Sequence, residues 1–100
     1  MGTFFLRTNP SLGSASTSRY VSIPTSPATL LTLDSGYQAL SLFNVGSATL
    51  IYGDSNISVN SGNFIYVGAA AEWLDLQDGW QVYLRADSVS TLISYVQYEV

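Results

Sequence analysis

The chain has 100 residues, which is one domain with a modest core. Its net charge of -4 comes from seven carboxylates against three arginines, with no histidine and no lysine, and this excludes a phosphate-backbone binder, which needs clustered cations. The absence of cysteine excludes a disulfide framework and thiolate chemistry, and the 10% share of charged residues leaves a hydroxyl-rich surface poorly protected against association.

Residues 1–18, MGTFFLRTNPSLGSASTS, hold no sustained period of two or of 3.6. Pro10, Gly13 and the SASTS run predict an extended N-terminal arm. Phe4, Phe5 and Leu6 form an apolar hook near its tip and are expected to bind a partner. Folding back onto the body or onto a sister subunit is the alternative. The start fits neither an export signal nor the myristoylation pattern, since position 6 is leucine. No apolar run approaches the roughly eighteen residues of a membrane span, so no membrane partner is expected.

From Arg19 the texture changes, and residues 19–100 read as the folded domain. Short runs rich in Val, Ile, Leu, Tyr and Thr alternate with turn clusters about every ten residues, the pattern of an antiparallel sandwich or barrel. Strands are predicted at 19–23, 28–33, 37–44, 48–52, 56–59, 63–67, 72–76, 80–86 and 91–99. PTSP, DSG, NVGS, GDSN, NSG, QDG and ADS supply the turns between them. Alternation then assigns Val21, Ile23, Leu31, Leu33, Leu40, Leu42, Leu50, Ile57, Val59, Ile65, Val67, Val82, Leu84 and Val96 to the core. It leaves Tyr20, Tyr66, Tyr83 and Tyr95 facing outward. Tyrosine brings contact area and a hydroxyl at low entropy cost, so these four are expected to bind a partner.

No residue pattern points to chemistry. Serine nucleophiles need a base such as histidine or lysine, and the chain has neither. No histidine–cysteine set exists for zinc, and the acidic turns lack calcium-loop spacing. A non-enzymatic protein without cofactor or metal is the expectation. Trp73 and Trp80, with the tyrosines, are candidates for a sugar-stacking platform, so a glycan-binding module is the rival.

The stretch LFNVGSATLIYGDSNISVNSGNFIYVG resembles small structural proteins of tailed bacteriophages. The shared features are Asn-x-Gly-Ser, an apolar strand ending in YG, then NISV, an SG turn and a further strand ending in glycine. Within that group the chain is most similar to capsid decoration, or cement, proteins. The resemblance implies a jelly-roll-like antiparallel β-sandwich with an extended N-terminal arm. It implies a virion protein, made in the host cytoplasm, that binds the major capsid protein on the outside of the shell. A homo-oligomer, with a trimer favoured, would bridge adjacent capsid subunits. The alternative is a glycan-binding piece of a phage fibre, tail or surface.

Overall fold

A computed structural model of the chain describes residues 4–7, 15–70, 73–76 and 81–99. Among the described residues the regular structure is all strand: β1 Phe4–Arg7, β2 Arg19–Ile23, β3 Thr29–Thr32, β4 Ala39–Asn44, β5 Leu50–Gly53, β6 Asn63–Ile65, β7 Trp73–Leu76, β8 Gln81–Ala86 and β9 Thr91–Tyr98. They build a five-stranded sheet, ordered β1-β7-β4-β9-β2, and a four-stranded sheet, ordered β3-β8-β5-β6. Every pairing is antiparallel. Leaving β1 aside, the pairs are nested: β2 with β9, β3 with β8, β4 with β7, β5 with β6.

One apolar core joins the two sheets. Ile23, Leu40, Leu42, Leu74 and Ile93 come from the larger sheet, and Leu50, Tyr52, Ile65, Val82 and Leu84 from the smaller. Fully burying one such side chain contributes about 1.5–3 kcal/mol. Val21, Leu31 and Tyr95 pack against this cluster from its margin.

Two polar ties reach out of the larger sheet, one to β6 of the smaller sheet and one to the loop after β3. Asn44 is completely buried, and its Nδ2 donates to the Ala48 carbonyl at 2.7 Å and to the Ile65 carbonyl at 2.9 Å. Its Oδ1 accepts from Thr91 Oγ1 at 2.8 Å and from the Gly46 N–H at 3.2 Å. Gly46 is there because a Cβ would overlap Thr91 Oγ1 and the Leu92 nitrogen. At the other end Gln97, also fully buried, accepts the Asp34 N–H on Oε1 at 2.6 Å and donates Nε2 to Asp34 Oδ2 at 3.2 Å.

Several expectations need correction. The predicted strand at 56–59 is a turn: Ser58 and Ser61 exchange backbone hydrogen bonds of 2.8 and 3.2 Å around Val59 and Asn60. Val59 therefore sits exposed on a turn corner instead of in the core. Ile57 still buries itself, but against Gly53 and Gly62 on the far side of the smaller sheet, beside Ile51. Val67 is also exposed, at the corner of a turn closed by the Ala69 N–H donating to the Tyr66 carbonyl at 2.9 Å. Gly68 occupies the position of that turn that needs positive φ, at 81°. In β9 the faces are reversed from expectation, and this turns Tyr95 inward and Val96 outward.

Contacts of the body begin before Arg19. Ala15 bridges to Tyr98, the Ser16 N–H donates to the Gln97 carbonyl at 2.8 Å, and the Gln97 N–H donates to Ser16 Oγ at 2.9 Å. At the opposite edge, β1 pairs with β7 of its own chain, Phe4 opposite Leu76, Phe5 opposite Asp75 and Leu6 opposite Leu74. The hook is thus an edge strand of its own sheet, which is the fold-back alternative. Residues 1–3 and 8–14, the rest of the expected arm, lie outside the described residues.

Candidate functional site

The most distinctive surface is the outer face of the larger sheet. Strand alternation sends Ile23, Leu40, Leu42 and Ile93 to the core, so the residues between them face out. Register aligns these in rows. Tyr20 stands opposite Ser94, and Ser94 opposite Phe43. Ser22 stands opposite Leu92, and the Val45 N–H donates to the Leu92 carbonyl at 3.0 Å. Ser41 stands opposite Val96. Tyr20 is 66% exposed, Phe43 42% and Leu92 41%. Across β2, β9 and β4 this face carries no Asp, Glu, Lys or Arg, while in the adjoining β7 Asp75 stands opposite Ala39. The polar groups that those three strands place on it are hydroxyls.

An ion pair stands at the β2 edge. Arg19 Nη2 donates to Asp34 Oδ2 at 2.6 Å, and both side chains are about half exposed. The hydrogen bond from Arg19, then that from Gln97, holds the Asp34 carboxyl below the usual carboxylate range. The same contact, helped by Tyr95, raises Arg19.

The smaller sheet has its own mixed outer face. Tyr83 stands between Leu30 and Gly53, and Ile51 between Arg85 and Phe64. Leu30 and Phe64 are exposed, while Tyr83 and Arg85 are half-buried. Ile51 is fully buried although it lies on this side, beside Ile57 and Gly62 of the 54–62 loop.

The expected partner-binding residues are therefore dispersed. Tyr20 is on the larger sheet's outer face, and Tyr83 is on the smaller sheet's. Tyr66 is 67% exposed in the turn after β6, whose Gly68 N–H donates to the Asn44 carbonyl at 2.8 Å. Tyr95 is packed against the core, and Phe4, Phe5 and Leu6 lie on β1 at the sheet edge. The structure does not bring the four tyrosines together. Of the candidate sugar platform, Trp73 stands in β7 opposite Arg7, and Trp80 lies outside the described residues.

The sequence did not mark Phe43, Val45 and Leu92 as exposed apolar residues. Phe43 carried a signal, since it falls on the face opposite Leu40 and Leu42. Leu92 had none, because β9 is apolar on both faces. Among the described residues no group of acidic side chains gathers to hold a metal ion, and no helix is long and apolar enough to cross a membrane. Comparison with protein-family models, with curated proteins and with solved structures finds no match.

Proposed function

We propose that this chain is a non-enzymatic virion structural protein that binds the outside of a capsid shell and bridges adjacent capsid subunits. The observation that carries the reading is that the body offers apolar side chains on both of its outer faces, Phe43 and Leu92 on one and Leu30 and Phe64 on the other. A bridging protein needs two contact surfaces, and exposed apolar groups mark surfaces that become covered. The nested pairing of β2 to β9 supports a jelly-roll-like sandwich, an architecture used by capsid and lectin domains. That support is fold-level analogy, which leaves function to the site. Bridging stabilises the shell by linkage, because the buried surface exists only in the assembled state. The role requires no cofactor, no nucleic acid and no membrane, and it places the protein on the virion after synthesis in the host cytoplasm.

Co-sedimentation with assembled shells tests this directly. Saturable binding that raises the shell's melting temperature and persists in added salt is expected, since the contacts are apolar. Folded protein that stays in the supernatant at tens of micromolar refutes it.

A glycan-binding module is the second reading, favoured by the exposure of Tyr20 and Tyr66, whose rings are free to stack on sugars. It predicts saturable, glycan-dependent quenching of aromatic fluorescence, where the shell-binding reading predicts none.

A further inference from the structure

We propose that the hook strand β1 is exchanged between copies of this chain, so that Phe4–Arg7 of one copy pairs with β7 of another. The inference stands apart from the shell-binding reading. In the sheet order β1-β7-β4-β9-β2, β1 and β2 occupy opposite edges. Each neighbouring pair is antiparallel, so β1 and β2 run in the same direction. Contacts of the β2 edge already begin at Ala15, which bridges to Tyr98. Only residues 8–14 separate Arg7 from Ala15.

That connection is short for its task. Two parallel strands ordinarily need a crossover of about a dozen or more residues. Here four strand spacings of about 4.8 Å put the two edges about 19 Å apart. A chain joining them must also pass around β7, β4 and β9, and a layer laid on a sheet stands about 10 Å from it. Climbing to that height and descending again makes the route on the order of 30 Å. The peptide steps from Arg7 to Ala15 reach about 26–29 Å. Closing the hook on β7 of its own chain therefore takes the whole reach of the connection.

A short connection at its limit is the condition that favours exchange. Exchange keeps the β1–β7 register, Phe4 opposite Leu76 through Arg7 opposite Trp73, and changes only which copy supplies the strand. Between copies no strand has to be crossed, because the hook passes from the β2 edge of one directly to the β7 edge of another.

The chain has no cysteine, so one can be placed on either side of this register. Opposite residues of an antiparallel pair have Cα atoms about 4.5–5.5 Å apart, inside the range a disulfide spans. Phe5→Cys and Asp75→Cys are made as separate variants of the full chain, mixed in equal amounts, unfolded, refolded together and oxidised. Each chain then holds a single cysteine, so a link between the two different positions joins two copies. Mass spectrometry of the digested product should find that link several-fold above the links between like positions, which collision alone produces. Inserting a run of Gly and Ser after Pro10 long enough to double the connection should lower it several-fold, because the hook then reaches its own β7 with slack. Arg7→Cys with Trp73→Cys repeats the test on the same register should either first variant fail to fold. A cross-link no more abundant than the collision links overturns the exchange, and so does a yield that ignores the insertion. No shell is needed, so either failure leaves the shell-binding reading standing, and co-sedimentation tests that reading by itself.

Discussion

Replacing Asn44 by alanine tests the idea that one buried amide ties the two sheets. Asn44 comes at the end of β4 in the larger sheet, and it donates to Ile65 of β6 in the smaller one. The direction of the amide is fixed by its partners. Two carbonyls face the nitrogen, while a backbone N–H and a threonine hydroxyl face the oxygen. Truncation removes all four bonds and leaves buried groups short of partners, each costing about 1–2 kcal/mol, less where a second partner remains. Thr91 Oγ1 does keep one, the Ala48 N–H at 3.4 Å. The sum is about 3–5 kcal/mol, against a total of about 5–15 kcal/mol for a domain. For a chain of this size that lowers Tm by on the order of 20 °C. Equilibrium unfolding in urea, followed by fluorescence, reads the loss. Asn44→Asp adds a sign test. Its carboxylate meets the Ala48 and Ile65 carbonyls with no proton to offer, so its folded pKa lies above the unfolded value of about 4. Stability is then retained at low pH and lost as pH rises through the folded pKa. Asn44→Asp should therefore be less stable than Asn44→Ala at pH 7, with the gap closing in acid. A loss below about 1 kcal/mol for Asn44→Ala, or equal stability of the two variants at pH 7, refutes the assignment.

Gly46→Ala should cost several kcal/mol or prevent folding, since its methyl meets Thr91 Oγ1 and the Leu92 backbone; a melting temperature within a few degrees of wild type contradicts the close approach. The lowered pKa of Asp34 makes the Arg19 pair stabilising at neutral pH, and that contribution fades as pH falls below the ordinary carboxylate range of about 4. The advantage of wild type over Asp34→Asn should be small, because the pair is exposed, and should vanish in acid; a carboxyl titrating by NMR at or above the free-chain value opposes this. A chain starting at Ala15 should keep its β-type circular dichroism, whereas one starting at Arg19 should be about 1–2 kcal/mol less stable still, because the Gln97 N–H loses Ser16 Oγ. Equal stability of the two truncations removes Ala15 and Ser16 from the folded body.

What was legible in the sequence follows from what each signal measures. The strands from 19–23 to 91–99 stood out because turn residues bracket them, and eight of the nine predicted segments contain a strand. The exception, 56–59, has strand composition, yet Asp54 bends the chain first: its Oδ1 accepts the Asn56 N–H at 2.8 Å and its carbonyl accepts the Ile57 N–H at 3.3 Å. Local side-chain bonding of this kind outcompetes propensity in so short a run. The hook at Phe4–Arg7 could not be read as a strand from its own four residues, since its partner among the described residues is β7, some seventy positions away. The outward tyrosines were half legible. Tyr20 and Tyr66 are exposed, but Tyr95 was assigned from β9, where alternation misleads.

The failure in β9 exposes how its register is chosen. Its inner positions are Thr91, Ile93, Tyr95 and Gln97, and its outer ones are Leu92, Ser94, Val96 and Tyr98. By hydrophobicity the outer set is the better candidate for the core. A slip of one residue would exchange the two sets, and apolar burial would not resist it. The polar residues do resist it. Thr91 Oγ1 donates to Asn44 and accepts the Ala48 N–H, and the Gln97 amide bonds Asp34. Turned outward, Thr91 would abandon the buried Asn44 and Gln97, itself buried, would abandon Asp34. Thr91→Val with Gln97→Leu removes both anchors while keeping side-chain volume similar. The double variant should stay β-rich by circular dichroism. Its amide NMR spectrum should show more than one set of β9 and β4 resonances, with faster hydrogen exchange along that pair. One set of resonances with wild-type exchange protection would show instead that the neighbouring strands alone hold β9 in place.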